Sequence, residues 1–274
     1  MECVINGLVV HHECIGEGIP VLMIPGYQVD HRIMAACMEP VFREAPGFRR
    51  VYIDLPGMGR TKRAEWIVNA DSMLEFLLEF IEKVIPGERL LVAGESYGGY
   101  LARGLHKRLG SRVAGLLLIC PVIRPALEDR TLPERVALTV DASLLAQLSP
   151  EDAQSAAESL VLQTEPVWQR FRDEVLAGIA VADQAYLKAY RESGYAFSFD
   201  VDALEKPCPC PTLFIMGRQD SVVGYRDAWP ILENFPRATL AVLDRAGHSL
   251  QIEQVELFHA LVREWLERSS EMWI

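Results

Sequence analysis

The residue of this 274-residue chain best suited to act as a nucleophile is a serine placed between glycines. Gly94-Glu95-Ser96-Tyr97-Gly98 follows the pattern G-x-S-x-G. In this pattern the glycines leave room for a strand and a helix to meet, and the serine hydroxyl projects from the turn between them. A serine hydroxyl is a weak nucleophile at neutral pH and needs an adjacent base, which in turn needs an orienting group. Ser96 therefore indicates acyl-transfer chemistry if a histidine and a carboxylate lie beside it.

His248 is the histidine that best fits the role of this base. It follows an apolar run at 238–243 and precedes a helical segment, whereas the other five histidines lie on a hairpin, within helices or in an earlier loop. Asp220 follows another apolar run, at 212–216, and fits the orienting group. Because the carboxyl ends of parallel strands meet at one edge of a sheet, we expect both side chains to lie near the nucleophile.

The elements that must position these residues are recognised by continuous apolar runs that end at turn residues. Strands buried on both faces of a parallel sheet have this pattern, whereas half-exposed strands alternate. The runs cover 21–24, 50–53, 90–93, 114–120, 212–216 and 238–243. Helical segments at 71–85, 97–109 and 252–266 lie between or after them, and Asn6-Gly7 indicates an antiparallel hairpin. The sequence predicts an α/β fold with a mostly parallel central sheet covered by helices on both faces.

One long segment interrupts this alternation of strands and helices. We predict an all-helical cap at 124–206, inserted into a core formed by 1–123 and 207–274. Ser149-Pro150 begins a helix, because serine is a good N-cap and proline fits the first helical position. Further helical patterns cover 166–179 and 182–192. We expect the cap to lie over the carboxyl edge of the sheet, where open α/β sheets bind ligands.

The predicted cap is acidic and rich in aromatic residues. Residues 126–206 include 15 acidic and 7 basic side chains, a net charge of −8, so we expect anionic substrates to be disfavoured. Some of the aromatic residues are expected to form an apolar acyl or alcohol site, and the alternation at 195–199 is expected to face the sheet. The aromatic residues of the predicted cap are Trp168, Phe171, Tyr186, Tyr190, Tyr195, Phe197 and Phe199.

The overall composition excludes several classes of partner. The chain has 27 Lys and Arg against 38 Asp and Glu, a net charge of −11, which repels nucleic-acid phosphates and anionic lipid surfaces. The six cysteines include no pair at metal-binding spacing, and a bridge within Cys208-Pro209-Cys210 would be strained. We therefore expect no nucleic-acid partner, no membrane partner, no metal and no cofactor, in a cytoplasmic protein with reduced thiols. The oligomeric state, monomer or homodimer, is left open.

Taken together, these motifs resemble the α/β-hydrolase superfamily. Its members carry nucleophile, acid and histidine in the order that Ser96, Asp220 and His248 have here. Segment 54–61 is similar to the superfamily's D-x-x-G-x-G-x-S/T loop, and Pro25-Gly26-Tyr27 looks like its oxyanion loop. The resemblance covers the chain apart from the cap and implies an α/β-hydrolase fold.

The resemblance also implies a mechanism and a class of substrate. Ser96, His248 and Asp220 would form a Ser-His-Asp triad that cleaves an acyl substrate through an acyl-enzyme. The backbone N–H groups of Tyr27 and Tyr97 would hold the developing oxyanion. The partner would be a small-molecule acyl substrate, neutral or apolar, and most simply a carboxylic ester.

Several alternatives remain on the same scaffold. A C–C bond hydrolase, a lactonase or an aminopeptidase would use the same triad, a lyase would use the same fold without hydrolysis, and a regulatory protein would bind a small ligand with weak hydrolysis. Asp54 competes with Asp220 as the orienting acid, but it begins the loop that the resemblance marks as structural. Glu95 stands where many esterases have histidine; it either tunes His248 or accepts a hydrogen bond beneath the loop.

Overall fold

An eight-stranded sheet forms the centre of the protein, whose computed structural model describes residues 1–273. Residue 274, the last of the predicted core, lies outside the described residues. The strands are β1 (Glu2–Ile5), β2 (Leu8–Ile15), β3 (Ile19–Ile24), β4 (Phe48–Ile53), β5 (Leu90–Glu95), β6 (Val113–Ile119), β7 (Thr139–Val140), β8 (Leu162–Gln163), β9 (Thr212–Gly217) and β10 (Ala238–Leu243). The sheet order is β1-β2-β4-β3-β5-β6-β9-β10. The pairs β1–β2 and β2–β4 are antiparallel and the others are parallel, which confirms the predicted fold class.

Helices cover both faces of this sheet. They are α1 (His31–Glu44), α2 (Ala70–Val84), α3 (Tyr97–Leu109), α4 (Ala142–Gln147), α5 (Pro150–Ser159), α6 (Glu165–Phe171), α7 (Ala177–Ile179), α8 (Gln184–Gly194), α9 (Leu250–Glu253) and α10 (Val255–Ser270). Helix α1 packs against α10 on one face, and α2 packs against α3 on the other. Among residues 1–273, no helix combines the length and the apolar character that a membrane crossing requires.

Several predicted elements have the limits expected from the sequence. Helix α3 and strand β10 coincide with the predicted 97–109 and 238–243. Asn6 and Gly7 both have positive φ, as the tight turn of the β1–β2 hairpin requires. The predicted helix at 252–266 is instead two helices, because the backbone leaves the helical region at Gln254, with φ −129° and ψ 55°.

The segment predicted as an all-helical cap requires one correction. Strands β7 and β8 pair in parallel, with Thr139 opposite Leu162 and Val140 opposite Gln163. Two residues are too few to produce a strand periodicity, so the sequence pattern could not reveal them. The helix predicted at Ser149-Pro150 is present as α5, and the Ser149 side chain accepts a hydrogen bond from the backbone of Asp152. The limits of the cap, 124–206, stay a prediction.

This segment contacts the loops that follow the parallel strands. The backbone N–H of Asp183 donates to the carbonyl of Gly57 at 2.8 Å. The Tyr186 hydroxyl donates to the carbonyl of Ile67, also at 2.8 Å. On α3, the Tyr100 hydroxyl accepts the backbone N–H of Phe197 at 3.0 Å. The helices between β6 and β9 therefore lie over the edge of the sheet where the predicted site residues are found.

Arg103 of α3 links the sheet layer to the end of this segment. The side chain is 1% exposed and lies under the predicted cap. Its guanidinium donates to the Asp202 carboxylate and, at 2.7 Å, to the carbonyl of Val122. Removal of Arg103 would leave the Asp202 carboxylate, which is 17% exposed, without its partner and the Val122 carbonyl without this donor, and it would empty the volume of a large buried side chain.

We expect Arg103→Ala to lower the free energy of unfolding by about 3–5 kcal/mol, as measured by urea denaturation. Arg108→Ala on the same helix is the matched control, because the Arg108–Glu75 pair is about half exposed. Its loss should cost less than ~1 kcal/mol. Equal losses in the two variants would show that Arg103 does not hold the segment to the core.

Candidate active site

The backbone of Ser96 is strained and points its side chain out of the sheet. Ser96 joins β5 to α3 with φ +52° and ψ −113°, a backbone conformation that residues with a side chain rarely adopt. A Cβ on Gly98 would lie 2.2 Å from the carbonyl oxygen of Ile24, and one on Gly94 would lie 2.3 Å from that of Gly98. Only glycine fits at these two positions, which accounts for the G-x-S-x-G pattern in physical terms.

The structure brings Ser96, His248 and Asp220 together in one chain of hydrogen bonds. His248 Nε2 lies 2.9 Å from Ser96 Oγ, and His248 Nδ1 lies 2.9 Å from Asp220 Oδ2. Asp220 is fully buried and also accepts the backbone N–H groups of Val222 and Val223, at 2.8 and 3.0 Å. Burial would raise the pKa of Asp220, but His248 and these hydrogen bonds hold it below its ordinary value.

Asp54, the competing acid, is engaged elsewhere. Its Oδ1 lies 2.8 Å from His31 Nδ1 and accepts the backbone N–H of His31, while its Oδ2 accepts the backbone N–H of Arg60 at 2.9 Å. These bonds join the start of α1 to the glycine-rich turn at 57–59. Asp54 is therefore not the residue that orients His248.

Glu95 places a second carboxylate beside the histidine. Its Oε1 lies 3.6 Å from His248 Nε2, and its side chain is 4% exposed. Burial raises the pKa of Glu95 to about 7, although the charge of His248 opposes this. Burial lowers the pKa of His248, but the charge and hydrogen bond of Asp220 and the charge of Glu95 outweigh it and raise this pKa to about 9.

Two backbone N–H groups next to Ser96 have no acceptor within residues 1–273: those of Tyr27 and Tyr97. Tyr97 is the first residue of α3, so its N–H belongs to the free donors of a helix N-terminus. A Cβ on Gly26 would lie 3.2 Å from Ser96 Cβ, which places the loop of Tyr27 directly against the serine. Both predicted oxyanion donors are thus free and close to Ser96.

A cavity of about 310 Å³ opens onto Ser96 and His248. Its walls combine aliphatic side chains from the core and from the helical segment, and Phe171 and Tyr195 are the aromatic residues that the segment contributes. The Tyr195 ring stacks on Tyr97 with the centroids 4.3 Å apart. The apolar residues that line the cavity are Val29, Ile33, Val122, Phe171, Val175, Ile179, Val222 and Val223.

Two arginines that the sequence analysis did not select also line this cavity. Arg130 donates to the backbone carbonyls of Arg124, Val222 and Pro125, at 2.8, 2.8 and 3.1 Å. Arg191 at the end of α8 has its guanidinium carbon 4.7 Å above the Tyr195 ring. Within residues 1–273, neither arginine forms an ion pair. No local pattern marks them, because only the packing of the segment over the sheet edge brings them to the cavity.

Glu253 is a further residue that sequence reasoning missed. Its buried carboxylate accepts the backbone N–H of Gly247 at 2.6 Å, directly before His248. The other oxygen accepts the N–H groups of Val161 and Leu162 in the helical segment, at 2.6 and 3.1 Å. Burial raises the pKa of Glu253, against the effect of these three donors. A single side chain therefore connects the histidine loop to β8.

The chain resembles known hydrolases over most of its length. A sequence model described as "Alpha/beta hydrolase family" matches residues 21–261. A pimeloyl-[acyl-carrier protein] methyl ester esterase of Legionella pneumophila (strain Paris) is 23% identical over 258 residues, covering 94% of this chain and 99% of that protein. A 2-hydroxymuconate semialdehyde hydrolase of Pseudomonas putida is 24% identical over 228 residues, covering 80% of this chain and 74% of that protein.

The fold comparison gives the same result. The crystal structure of an alpha/beta superfamily hydrolase from Oenococcus oeni PSU-1 superposes with a TM-score of 0.88 at 24% identity, covering 98% of this chain and 99% of that one. At this identity the likeness shows the fold, whereas the family match extends over most of the chain. The chain therefore belongs to the alpha/beta hydrolase family and is an enzyme of the hydrolase class.

Proposed function

We propose that the protein hydrolyses a carboxylic ester through an acyl-enzyme formed on Ser96. The observation that supports this most directly is the continuous contact from Ser96 Oγ through the His248 ring to Asp220, at the edge of a cavity of ligand size. A hydroxyl, an imidazole and a buried carboxylate in this order are the parts needed to activate an alcohol as a nucleophile.

In the first half of the reaction, Ser96 forms the acyl-enzyme. As Ser96 Oγ bonds to the acyl carbon, its proton moves to His248 Nε2, and Asp220 stabilises the resulting imidazolium through Nδ1–H. The bond from the acyl carbon to the alcohol oxygen then breaks, and the proton on Nε2 passes to the departing alkoxide. The alcohol leaves, and His248 is neutral again.

In the second half, water takes the place of the alcohol. His248 Nε2 accepts a proton from this water as its oxygen bonds to the acyl carbon, and the carbon–Oγ bond then breaks with return of the proton to Ser96. In both halves the oxyanion would accept hydrogen bonds from the N–H groups of Tyr27 and Tyr97, which are free for this purpose. Loss of one such donor typically costs about 3 kcal/mol of transition-state stabilisation.

The cavity supports a substrate that is partly apolar and carries a polar or anionic group. The net charge of −8 in the predicted cap led to the expectation of a neutral or apolar substrate, but most of that charge does not reach the cavity. From the predicted cap, one acidic residue, Glu158, and two basic residues, Arg130 and Arg191, line the cavity. Three of the five N–H donors of Arg130 bond backbone carbonyls, whereas none of those of Arg191 has an acceptor among residues 1–273, so Arg191 is the freer cation for a carboxylate of the substrate.

Hydrolysis of a C–C bond is the second candidate on the same three residues. It is favoured by the relationship to the Pseudomonas putida semialdehyde hydrolase and by a cation in the cavity. A substrate panel of esters, lactones, amides and β-diketones separates these chemistries. Turnover of none of the esters would contradict the proposed ester hydrolysis. In each of these reactions the proposed binding partner is a small-molecule substrate.

Replacement of Ser96 by alanine should reduce kcat/KM for activated acyl esters by about 10⁴-fold or more, because the nucleophile is lost while the cavity remains. A fluorophosphonate should label the wild-type protein on Ser96, as identified by mass spectrometry of the peptides. Ser193→Ala is the control, since Ser193 is exposed on α8 and bonds only the carbonyl of Ala189. Unchanged turnover or labelling in Ser96→Ala would refute the assignment.

The pH dependence of kcat/KM should report the charge on His248. A general base must be neutral, and the raised pKa keeps this imidazole protonated until about pH 9, so activity should rise with pH up to that region. Glu95→Gln removes a negative charge 3.6 Å from Nε2 and should move the inflection to lower pH. Glu151→Gln, at an exposed position of α5, should leave the profile unchanged. An unmoved inflection in Glu95→Gln would show that Glu95 does not act on His248.

Arg191→Ala should raise KM for a half-ester of a dicarboxylic acid by about tenfold or more, because a hydrogen bond to a charged group is lost. The KM for a neutral ester of equal length should change little. Lys188→Ala, which removes an exposed cation from the same helix, controls for the change in net charge. If wild type and Arg191→Ala discriminate equally between the two esters, Arg191 does not contact the substrate.

A further inference from the structure

Two imidazoles and a carboxylate gather between the edge of the sheet and the start of α1, apart from the cavity of Ser96. His11 and Glu13 lie two residues apart on β2 and therefore face the same side of the sheet. His31 is the first residue of α1. One ligand atom from each of the three residues lies within 4.8 Å of the others. A surface cavity of about 400 Å³ borders Glu13 and His31, so an ion from solvent can reach the cluster.

His11 carries a polar atom that the rest of the described chain leaves unused. The residue is 8% exposed, and its buried Nε2 has no hydrogen-bond partner among residues 1–273. A buried polar atom without a partner is costly and calls for a specific reason.

His31 is held in the orientation that a metal ligand requires. Its Nδ1 lies 2.8 Å from Asp54 Oδ1, which leaves Nε2 directed at Glu13, 3.4 Å from Oε1. Two ligands bonded to one tetrahedral zinc at about 2.0–2.1 Å are themselves roughly 3.4 Å apart. The rings of His11 and His31 have centroids 5.4 Å apart and are tilted by 54°, so they converge without stacking.

We propose that His11, Glu13 and His31 bind a divalent transition-metal ion of the zinc type. Two imidazoles and one carboxylate suit zinc and its neighbours, whereas magnesium and calcium prefer oxygen ligands alone. Asp54 would support the site by accepting the Nδ1–H of the ligand His31, an arrangement common around protein-bound metals. Three protein ligands leave a fourth position for water.

Two alternatives to a metal ion at His11, Glu13 and His31 make different predictions. In the first, His31 stays protonated and bridges Asp54 and Glu13 as an ion pair without metal. Burial lowers the pKa of His31, but its carboxylate neighbours raise it above the ordinary value. In the second, a metal binds instead to the buried cluster of His106, Cys208 and Cys210. There the two sulfurs are 2.8 Å apart, closer than the roughly 3.8 Å that separates two thiolates on one zinc.

The test uses the untagged, full-length protein, stripped of metal with a chelator and titrated with ZnCl₂ in a calorimeter. We expect one tight site per chain, and a rise in Tm in the presence of zinc because only the folded chain holds the three ligands together. His11→Ala and Glu13→Gln should each weaken zinc binding by about tenfold or more and abolish the rise in Tm. Glu13→Gln should disturb the fold less than His11→Ala, because the Glu13 side chain is 40% exposed.

His259→Ala is the matched control. His259 also has a buried Nε2 without a partner among residues 1–273, but it belongs to no cluster of metal-binding side chains there. Its loss should leave zinc binding unchanged. Cobalt replaces zinc as a spectroscopic probe: a tetrahedral N/O site gives visible d–d bands without a sulfur-to-cobalt charge-transfer band.

Two results would overturn the proposal. The first is the absence of tight zinc binding to the wild-type protein, which would leave His31 as a simple ion pair. The second is evidence that the ion lies at another site. Such evidence would be zinc binding that survives both Glu13→Gln and His11→Ala, or a sulfur charge-transfer band that disappears in Cys208→Ser. Because metal content and Tm are read directly, neither result depends on the assignment of Ser96.

Discussion

The left-handed backbone at Ser96 is the constraint on which the arrangement of the site depends. A side-chain-bearing residue at φ +52° costs free energy and persists only where its surroundings fix it. Here the backbone of Ser96 donates to the carbonyl of Ile119 and accepts the N–H of Val122, so β6 and the loop after it hold the turn in place. The absence of a side chain at Gly94 and Gly98 lets the neighbouring backbone close around it. The hydroxyl is thereby presented at the strand ends, where His248 and Asp220 also lie.

Charge in this protein is distributed less simply than its total suggests. The −11 of the whole chain lies largely in the predicted cap, yet the cavity beneath contains two guanidinium groups beside Glu158. Of the 15 acidic residues at 126–206, Glu158 lines the cavity and the other 14 do not. Net charge averages over a segment, whereas recognition depends on the few side chains that line the cavity. The sum alone therefore does not determine which substrate charge such a cavity favours.

The sequence carried most of the fold and the three residues of the proposed triad, because each is marked by a local pattern. Ser96 is marked by its glycines, and Asp220 and His248 by the apolar strands that precede them. Arg191 and Glu253 carry no such mark, since their roles arise only when distant segments pack together. Strands β7 and β8 cannot be predicted in this way, because two residues have no periodicity. The cluster of His11, Glu13 and His31 also depends on the packing of two elements. His31 belongs to α1 and the other two residues to β2, so a motif of fixed spacing cannot describe the cluster.

The carboxylate of Glu253 has a consequence for motion. It holds Gly247 through one oxygen and the Val161–Leu162 backbone through the other. Any displacement that carries β8 away from the sheet must break the second set of bonds and leave a buried anion with one donor where it had three. Admission of a substrate by such a displacement would thus loosen the loop that carries His248, the proposed base, and this loop would be held firmly again only after closure. Substrate entry and the reactive arrangement of His248 would then exclude each other in time.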